Sequence, residues 1–272
     1  MFKNRVVIIT GGSGGIGRAL TEAFLNDEAK VLLVARGKME IDKVLKEFKN
    51  REIFGIIADV SKASDVNKIV KRTLDKYARI DVLVNCAAIQ KPIGPFVDNL
   101  IMDWEYNLKV NLLGTVMMCH EVLPLMMEQK SGSIVNFSGG GSTSSRPNFS
   151  SYAVSKTGVV RFTEVVAQEV KKYGVRVNAV SPGAVNTFMT EEVLQAGKLA
   201  GKRELEDVKK RLKEGGVSPN LVSELVLFLA SNKSRPLTGR LISAIWDDWR
   251  NWQKKDIENI MKGEQYTLRR IK

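Results

Sequence analysis

An α/β protein, one domain built on a doubly wound parallel sheet, is the fold class the sequence predicts, and three observations carry it. Short runs that are apolar throughout alternate with longer amphipathic stretches along most of the 272 residues. These runs lack the apolar–polar alternation of a half-solvated sheet, as strands covered on both faces do. No repeat, low-complexity segment or linker divides the chain. Repeated strand–helix units of this kind imply right-handed crossovers within one sheet.

The first run, Val6 to Ile9, leads into the turn Thr10-Gly11-Gly12-Ser13-Gly14-Gly15, and a helical face of Ile16, Ala19, Leu20 and Phe24 follows. Val31 to Val34 reads as the second strand, ahead of a polar helix from about Met39 to Asn50. A strand at Ile53 to Ala58, a helix from about Ala63 to Ala78 and a strand at Val82 to Val84 come next. One long helical stretch is predicted over about Asp103 to Lys130, then a strand at Ser133 to Phe137. A helix from about Ser151 to Tyr173 and a strand at Val175 to Val180 complete the regular alternation. Ser218-Pro219, with proline in the first turn, opens a helix to about Ala230, and Arg240 to Ala244 is the last strand.

Two stretches fall outside the repeating unit: the charged run Thr190 to Gly216 and the tail beyond Ala244. Trp246, Trp249 and Trp252 are spaced by three, so one helical face could carry them all. Packing onto the same subunit is the expectation; a reach to a neighbouring subunit or to the substrate mouth is the alternative. The predicted domain therefore spans residues 1–245, with a lid over the substrate at about 188–216, and residues 246–272 form an extension.

Composition excludes several classes. The longest unbroken apolar run, Leu225 to Ala230, is six residues, against the roughly 20 needed to span a bilayer. No signal-peptide core precedes Val6, and the two cysteines, Cys86 and Cys119, with the single His120 cannot build a disulfide framework, a zinc site or a Ser-His-Asp triad. Cys119 beside His120 lies in an apolar helical run and reads as a structural thiol in a cytosolic protein. A net charge of +12 fits a solvated lysine-rich surface, a nucleic-acid or membrane partner, or a field for anionic substrates. No recognition helix, aromatic RNA signature or finger motif accompanies it, so neither nucleic acid nor membrane is expected as a partner.

The glycine-rich turn follows an apolar strand and opens a helix, the context in which its backbone can approach a pyrophosphate at the helix N-terminus. Its spacing, Thr-Gly-x3-Gly-Ile-Gly, resembles the short-chain dehydrogenase/reductase family, whose Rossmann fold binds a dinucleotide. The resemblance covers roughly residues 5 to 245 and implies cofactor contacts from Gly11, Ser13, Gly14, Gly15, Ile16 and Gly17. Where an NAD-preferring fold places an acid after the second strand, this chain has Ala35 and then Arg36, a fork suited to a 2′-phosphate. NADP(H) is therefore favoured over NAD(H). Asp59 and Val60 resemble the family's adenine contact. Asn85-Cys86-Ala87-Ala88 resembles its Asn-Asn-Ala-Gly stretch, with Cys86 and Ala88 as departures and Asn85 and Ala87 as implied contacts.

Tyr152 and Lys156 lie four apart, on one face of a helix. A nearby ammonium, helped by an oxidised nicotinamide, would lower a phenol that ordinarily titrates near ~10, so that Tyr152 exchanges a proton with the substrate oxygen. The run Ser151 to Gly158 matches the family. By the same resemblance Asn111 positions a relay water near the lysine, although it also reads as a polar residue that bends its helix. Pro182, Gly183, Val185 and Thr187 fall in the Pro-Gly-x3-Thr segment that holds the carboxamide. The family serine sits 13 residues before the tyrosine, and here that count lands on Gly139. An insertion within the run Gly139 to Ser145 restores Ser138, which is preferred to Ser142 as the catalytic serine.

The expected activity is interconversion of a secondary alcohol and a ketone. Lys198, Lys202, Arg203, Lys209, Lys210, Arg211 and Lys213 in the lid suggest an anionic acyl- or sugar-type substrate. The alternative is a catalytically weak nucleotide-sensing or interaction protein on the same fold. No metal is expected. The resemblance implies a homodimer or homotetramer through the helices at about 103–130 and 151–173.

Overall fold

The structure, a computed structural model, describes residues 1–270; the last two residues of the expected 246–272 extension lie outside the described residues. Seven parallel strands form one sheet in the order β3-β2-β1-β4-β5-β6-β7. They are β1 Val6–Thr10, β2 Lys30–Ala35, β3 Ile53–Ile57, β4 Val82–Asn85, β5 Gly132–Phe137, β6 Val175–Ser181 and β7 Leu241–Ser243. The sheet divides the core in two. Val7 and Ile9 face α1 (Gly15–Asn26) and α9 (Pro219–Ala230), among Leu20, Phe24, Val222 and Leu229. Ile8 faces the other way, with Val66 and Ile69 of α3 (Ala63–Tyr77) and Met118 and Val122 of α5 (Gly114–Glu128). Burial on both faces is why the strand sequences read as continuous apolar runs.

Strand order reverses between β1 and β4, and ligands of such sheets lie at the carboxyl ends beside that reversal. There Thr10 is paired in register with Asn85. The Thr10 hydroxyl accepts the backbone N–H groups of Cys86 and Ala87 at 3.1 and 3.2 Å, which pins the loop after β4 against the glycine turn.

Helices α2 (Lys38–Glu47) and α6 (Ser150–Val170) match expectation within the usual fraying of helix ends. The single helix expected over 103–130 is instead α4 (Ile101–Leu108) and α5, joined by a π-helical turn at Lys109–Leu113 that contains Asn111. Together, Ile101–Glu128 is long and apolar enough to cross a membrane by length and composition. Part of its apolar surface packs into the core, where Met118, Cys119, Val122 and Met126 are buried, while Ile101, Met102 and Leu113 are exposed.

The charged stretch 190–216 is not outside the helical pattern. It forms α7 (Phe188–Ala196), capped by the Thr187 hydroxyl, and α8 (Lys202–Glu214). The charges of α8 are spaced for its own exposed face, pairing Lys202 with Glu206, Arg203 with Asp207 and Lys210 with Glu214. That is the reason so polar a run still folds as a helix, with Val208 turned inward.

The tail corrects a second expectation. Trp246, Trp249 and Trp252 share no helical face, because residues 244–253 run in turns before α10 (Lys254–Lys262) begins. Trp249 is buried, 5.8 Å from the Phe228 ring, and its Nε1 donates to the Ala244 carbonyl at 3.3 Å. Trp252 packs between Phe228 and Tyr266, whereas Trp246 is 84% exposed. The contact with the same subunit thus holds for two of the three rings. Trp249→Ala is expected to lower unfolding free energy by about 3–5 kcal/mol, and Trp246→Ala by less than about 0.5, in urea denaturation.

Candidate active site

Two adjoining cavities open at the carboxyl ends of the strands, and Ala88 lines both. The first, about 460 Å³, is lined by Gly11, Ser13, Ala35, Arg36, Asp59, Val60 and Ala87. The second, about 430 Å³, is lined by Ile16, Ser138, Tyr152, Lys156, Pro182, Gly183, Val185 and Thr187. Residues from opposite ends of the sequence thus meet along one trough.

Gly11 shows why the turn needs glycine. Its φ is +71°, and a Cβ there would stand 2.9 Å from the Ala87 Cα. Gly17 lets α1 begin directly against the turn, since a Cβ would lie 2.0 Å from the Gly11 carbonyl oxygen. At Gly14 the same construction meets open space, and Gly15 faces the Thr187 side chain. Arg36 lines its cavity and donates to the Tyr106 hydroxyl at 3.0 Å. Glu40, in the first turn of α2, lines the same cavity and was not foreseen. The Asp59 carboxylate accepts from the Ser61 N–H and hydroxyl. Asn85 departs from expectation. Its side chain turns into the core, donating to Asn136 Oδ1 at 2.9 Å and to the Cys119 sulfur. Burial pushes the Cys119 thiol up to about 12, so it is inert, as a structural thiol should be.

Tyr152 and Lys156 stand one turn apart on α6, both buried. The Lys156 ammonium lies 5.7 Å from the tyrosine ring and donates to the Phe137 carbonyl at 2.9 Å. The expected lowering of the phenol does not occur in the protein by itself. Burial dominates and pushes Tyr152 up to about 12, only partly opposed by the Arg146 guanidinium. Burial likewise brings Lys156 down to about 8.

Ser138 lines the cavity, and its hydroxyl donates to Ser142 at 2.8 Å, so the two candidate serines act on one another. The residue facing the phenol is Gly139, where a Cβ would stand 2.4 Å from the Tyr152 hydroxyl. Asn111 is fully buried in the π-helical turn. Its Oδ1 accepts from the Ile89 N–H at 2.9 Å, and its Nδ2 donates to the Ile89 carbonyl, Asn107 and Ser155. The side chain therefore ties the loop after β4 to α6, one residue from Lys156.

Of the seven cations at 198–213 from which an anionic substrate is expected, only Arg211 lines the cavity of Tyr152 and Lys156. Three residues that sequence reasoning passed over also line it: Gln90, Arg146 and Glu204. Arg146 had a visible signal, a lone charge in the serine- and glycine-rich run before Tyr152. Gln90 and Glu204 had none, because only the fold brings them to Arg146.

Known proteins resemble this chain in sequence and in fold. The short chain dehydrogenase family pattern matches residues 5–198. The chain is 33% identical over 249 residues to 3-oxoacyl-(acyl-carrier-protein) reductase of Thermotoga maritima, covering 89% of this chain and 96% of that one. Levodione reductase of Leifsonia aquatica is 35% identical over 198 residues, 71% of this chain and 74% of the relative. A crystal structure of levodione reductase superposes with a TM-score of 0.82 at 29% identity, covering 89% of this chain and 96% of that one. A variant of actinorhodin polyketide ketoreductase solved with NADPH also reaches 0.82, at 26% identity over 93% of this chain and all of the other.

The lowered Lys156 makes stability depend on pH. Below about 8 the folded protein bears the full cost of a buried ammonium. Above that pH it sheds the proton, while the unfolded chain keeps it until about 10.4, so this contribution to stability rises with pH across the window. Relative to Lys156→Met, the wild type should gain roughly 2–3 kcal/mol between pH 7 and pH 10 in urea denaturation.

Proposed function

The chain belongs to the short-chain dehydrogenase family and is an NAD(P)-dependent oxidoreductase acting on alcohol and keto groups; within that chemistry we propose that it uses NADP(H) to interconvert a secondary alcohol and a ketone. The observation that carries this reading is the pair Tyr152 and Lys156, buried in a cavity that continues at Ala88 into the cavity of the glycine turn.

The residues present fit such a cofactor. Gly14 faces open space at the start of α1, where helix N–H groups favour phosphate, and Arg36 supplies a cation farther along the same trough. Ser13, Asp59, Val60 and Ala87 would line the adenosine side, and Pro182, Gly183, Val185 and Thr187 the nicotinamide side. Bound NADPH supplies the hydride. The protein handles the proton: the Tyr152 phenol, which burial pushes up, would donate it to the ketone oxygen in reduction and take it back in oxidation. Lys156 holds positive charge behind it, and Ser138 would turn its hydroxyl from Ser142 to the substrate oxygen, accepting from the Ser142 hydroxyl in exchange. Asn111 fixes the helix junction that positions Ser155 and Lys156.

NAD(H) remains the second reading because the Glu40 carboxylate shares the cavity with Arg36. Assembly as a homodimer or homotetramer is supported by exposed apolar side chains on the helices expected to pair, Ile101, Met102 and Leu113 on one side and Val154 and Val165 of α6 on the other. Two free thiols with no disulfide between them support a cytosolic setting.

Ketone-dependent oxidation of NADPH tests the proposal directly. Arg36→Ala should raise the Michaelis constant for NADPH by about 10- to 100-fold, the worth of a charge-assisted hydrogen bond, and change that for NADH little. Equal effects on both would remove the cofactor assignment. Ser138→Ala should lower kcat by about 100-fold or more, and Ser142→Ala by less, since Ser142 acts through Ser138. Loss confined to Ser142→Ala would move the role to that residue.

A further inference from the structure

We propose that the substrate is an oxo acid, and that Arg146 binds its carboxylate in place of Glu204. The proposal rests on the reductase reading for one point, that the reacting carbonyl lies against Tyr152.

Arg146 is held on several sides. Its guanidinium lies over the Phe149 ring at 3.8 Å from the centroid, and 5.7 Å from the centroid of Tyr152. Nη1 donates to the side-chain oxygen of Gln90 at 3.3 Å, and buried Gln90 in turn donates to the Met189 carbonyl at 3.2 Å. The remaining edge of the fork faces Glu204: Nε donates to one carboxylate oxygen at 3.3 Å and Nη2 to the other. A planar fork presented in this way matches a carboxylate in both shape and charge.

The two halves of the pair are unequally anchored. Arg146 is clamped between an aromatic ring and a buried amide. Glu204 rides on α8, and among the described residues of that helix only Val208 is buried. Gly201 and Gly215, with φ of +90° and +94°, flank the helix. The cation is thus part of the cavity wall, and its counter-ion belongs to the element resting over the mouth. The ionised groups lining the cavity also leave a cationic excess, with Lys156, Arg146 and Arg211 set against Glu204.

A carboxylate substrate resolves this arrangement in a way that a neutral one does not. It replaces one carboxylate by another, so the half-buried guanidinium is never left unpaired, and Glu204 is released toward solvent. Because Arg146 stands so near the Tyr152 ring, a short chain of carbons spans the distance between carboxylate and ketone. The cation that recognises the substrate is therefore in the cavity wall, rather than among the lysines on the outer face of α8.

Levulinate and methyl levulinate, identical at the ketone and different in charge, serve as probes. Their binding is read by saturation-transfer NMR on the wild type, Arg146→Gln and Glu204→Gln, so the result does not depend on turnover. Levulinate should bind the wild type more tightly than the ester does. Arg146→Gln should weaken levulinate by about 10- to 100-fold relative to the ester, the worth of a charged hydrogen-bonded pair. Glu204→Gln, which removes the competing carboxylate, should raise the preference for levulinate above that of the wild type. Equal affinities for acid and ester in all three proteins, no binding of either, or a parallel loss of both in the variants overturns the proposal. The predicted binding pattern without ketone-dependent NADPH oxidation supports the Arg146 pairing and overturns the reductase reading alone.

Discussion

The close approach of β1 and β4 at their carboxyl ends is the constraint on which the site depends. The Thr10 hydroxyl gathers two backbone N–H groups from the loop after β4, and Gly11 admits Ala87 at a distance no side chain would allow. That contact sets the wall shared by the two cavities. The same loop continues to Ile89, whose N–H and carbonyl both bind Asn111. Asn111 in turn reaches Ser155, next to Lys156. A short chain of hydrogen bonds therefore connects the glycine-rich turn to the helix of Tyr152 and Lys156, and the π-helical turn is the local distortion that brings Asn111 within reach of both.

Burial is the second organising effect, and it works on each titrating group in the expected sense. It raises the Tyr152 phenol, lowers the Lys156 ammonium and raises both thiols. The helical spacing of Tyr152 and Lys156 suggests charge stabilisation of a phenolate. In the folded protein desolvation is the larger influence, because the ammonium is turned to the Phe137 carbonyl and both groups are withdrawn from water. The outcome is a tyrosine that keeps its proton in the protein by itself.

Most of the framework was legible in the sequence because it is written in local patterns. Uniform apolar runs marked strands buried on both faces, glycines at 11 and 17 marked a turn where backbones touch, and the four-residue spacing marked Tyr152 and Lys156 on one helical face. Three features were not legible, for identifiable reasons. The charge-rich run at 202–214 concealed a helix because its charges pair along its own exposed face. The tryptophans at 246, 249 and 252 suggested a helical stripe, but their segment runs in turns, so only two rings pack inward. Asn85 matched a motif position, yet its side chain faces Asn136 beneath the trough.

The sequence by itself determined the α/β architecture, the glycine-rich turn after the first strand as a place for a dinucleotide, and the placing of Tyr152 and Lys156 on one helical face, since each follows from residue type and short-range spacing. Tertiary structure alone decided that Gly139 faces the phenol, that Ser138 and Ser142 bond to each other, and that Gln90, Arg146 and Glu204 meet in the cavity of Tyr152. Those contacts join residues from separate strand ends and from the helix over the mouth. No periodicity in the chain encodes them, because packing of the whole sheet and its helices fixes the distances between them.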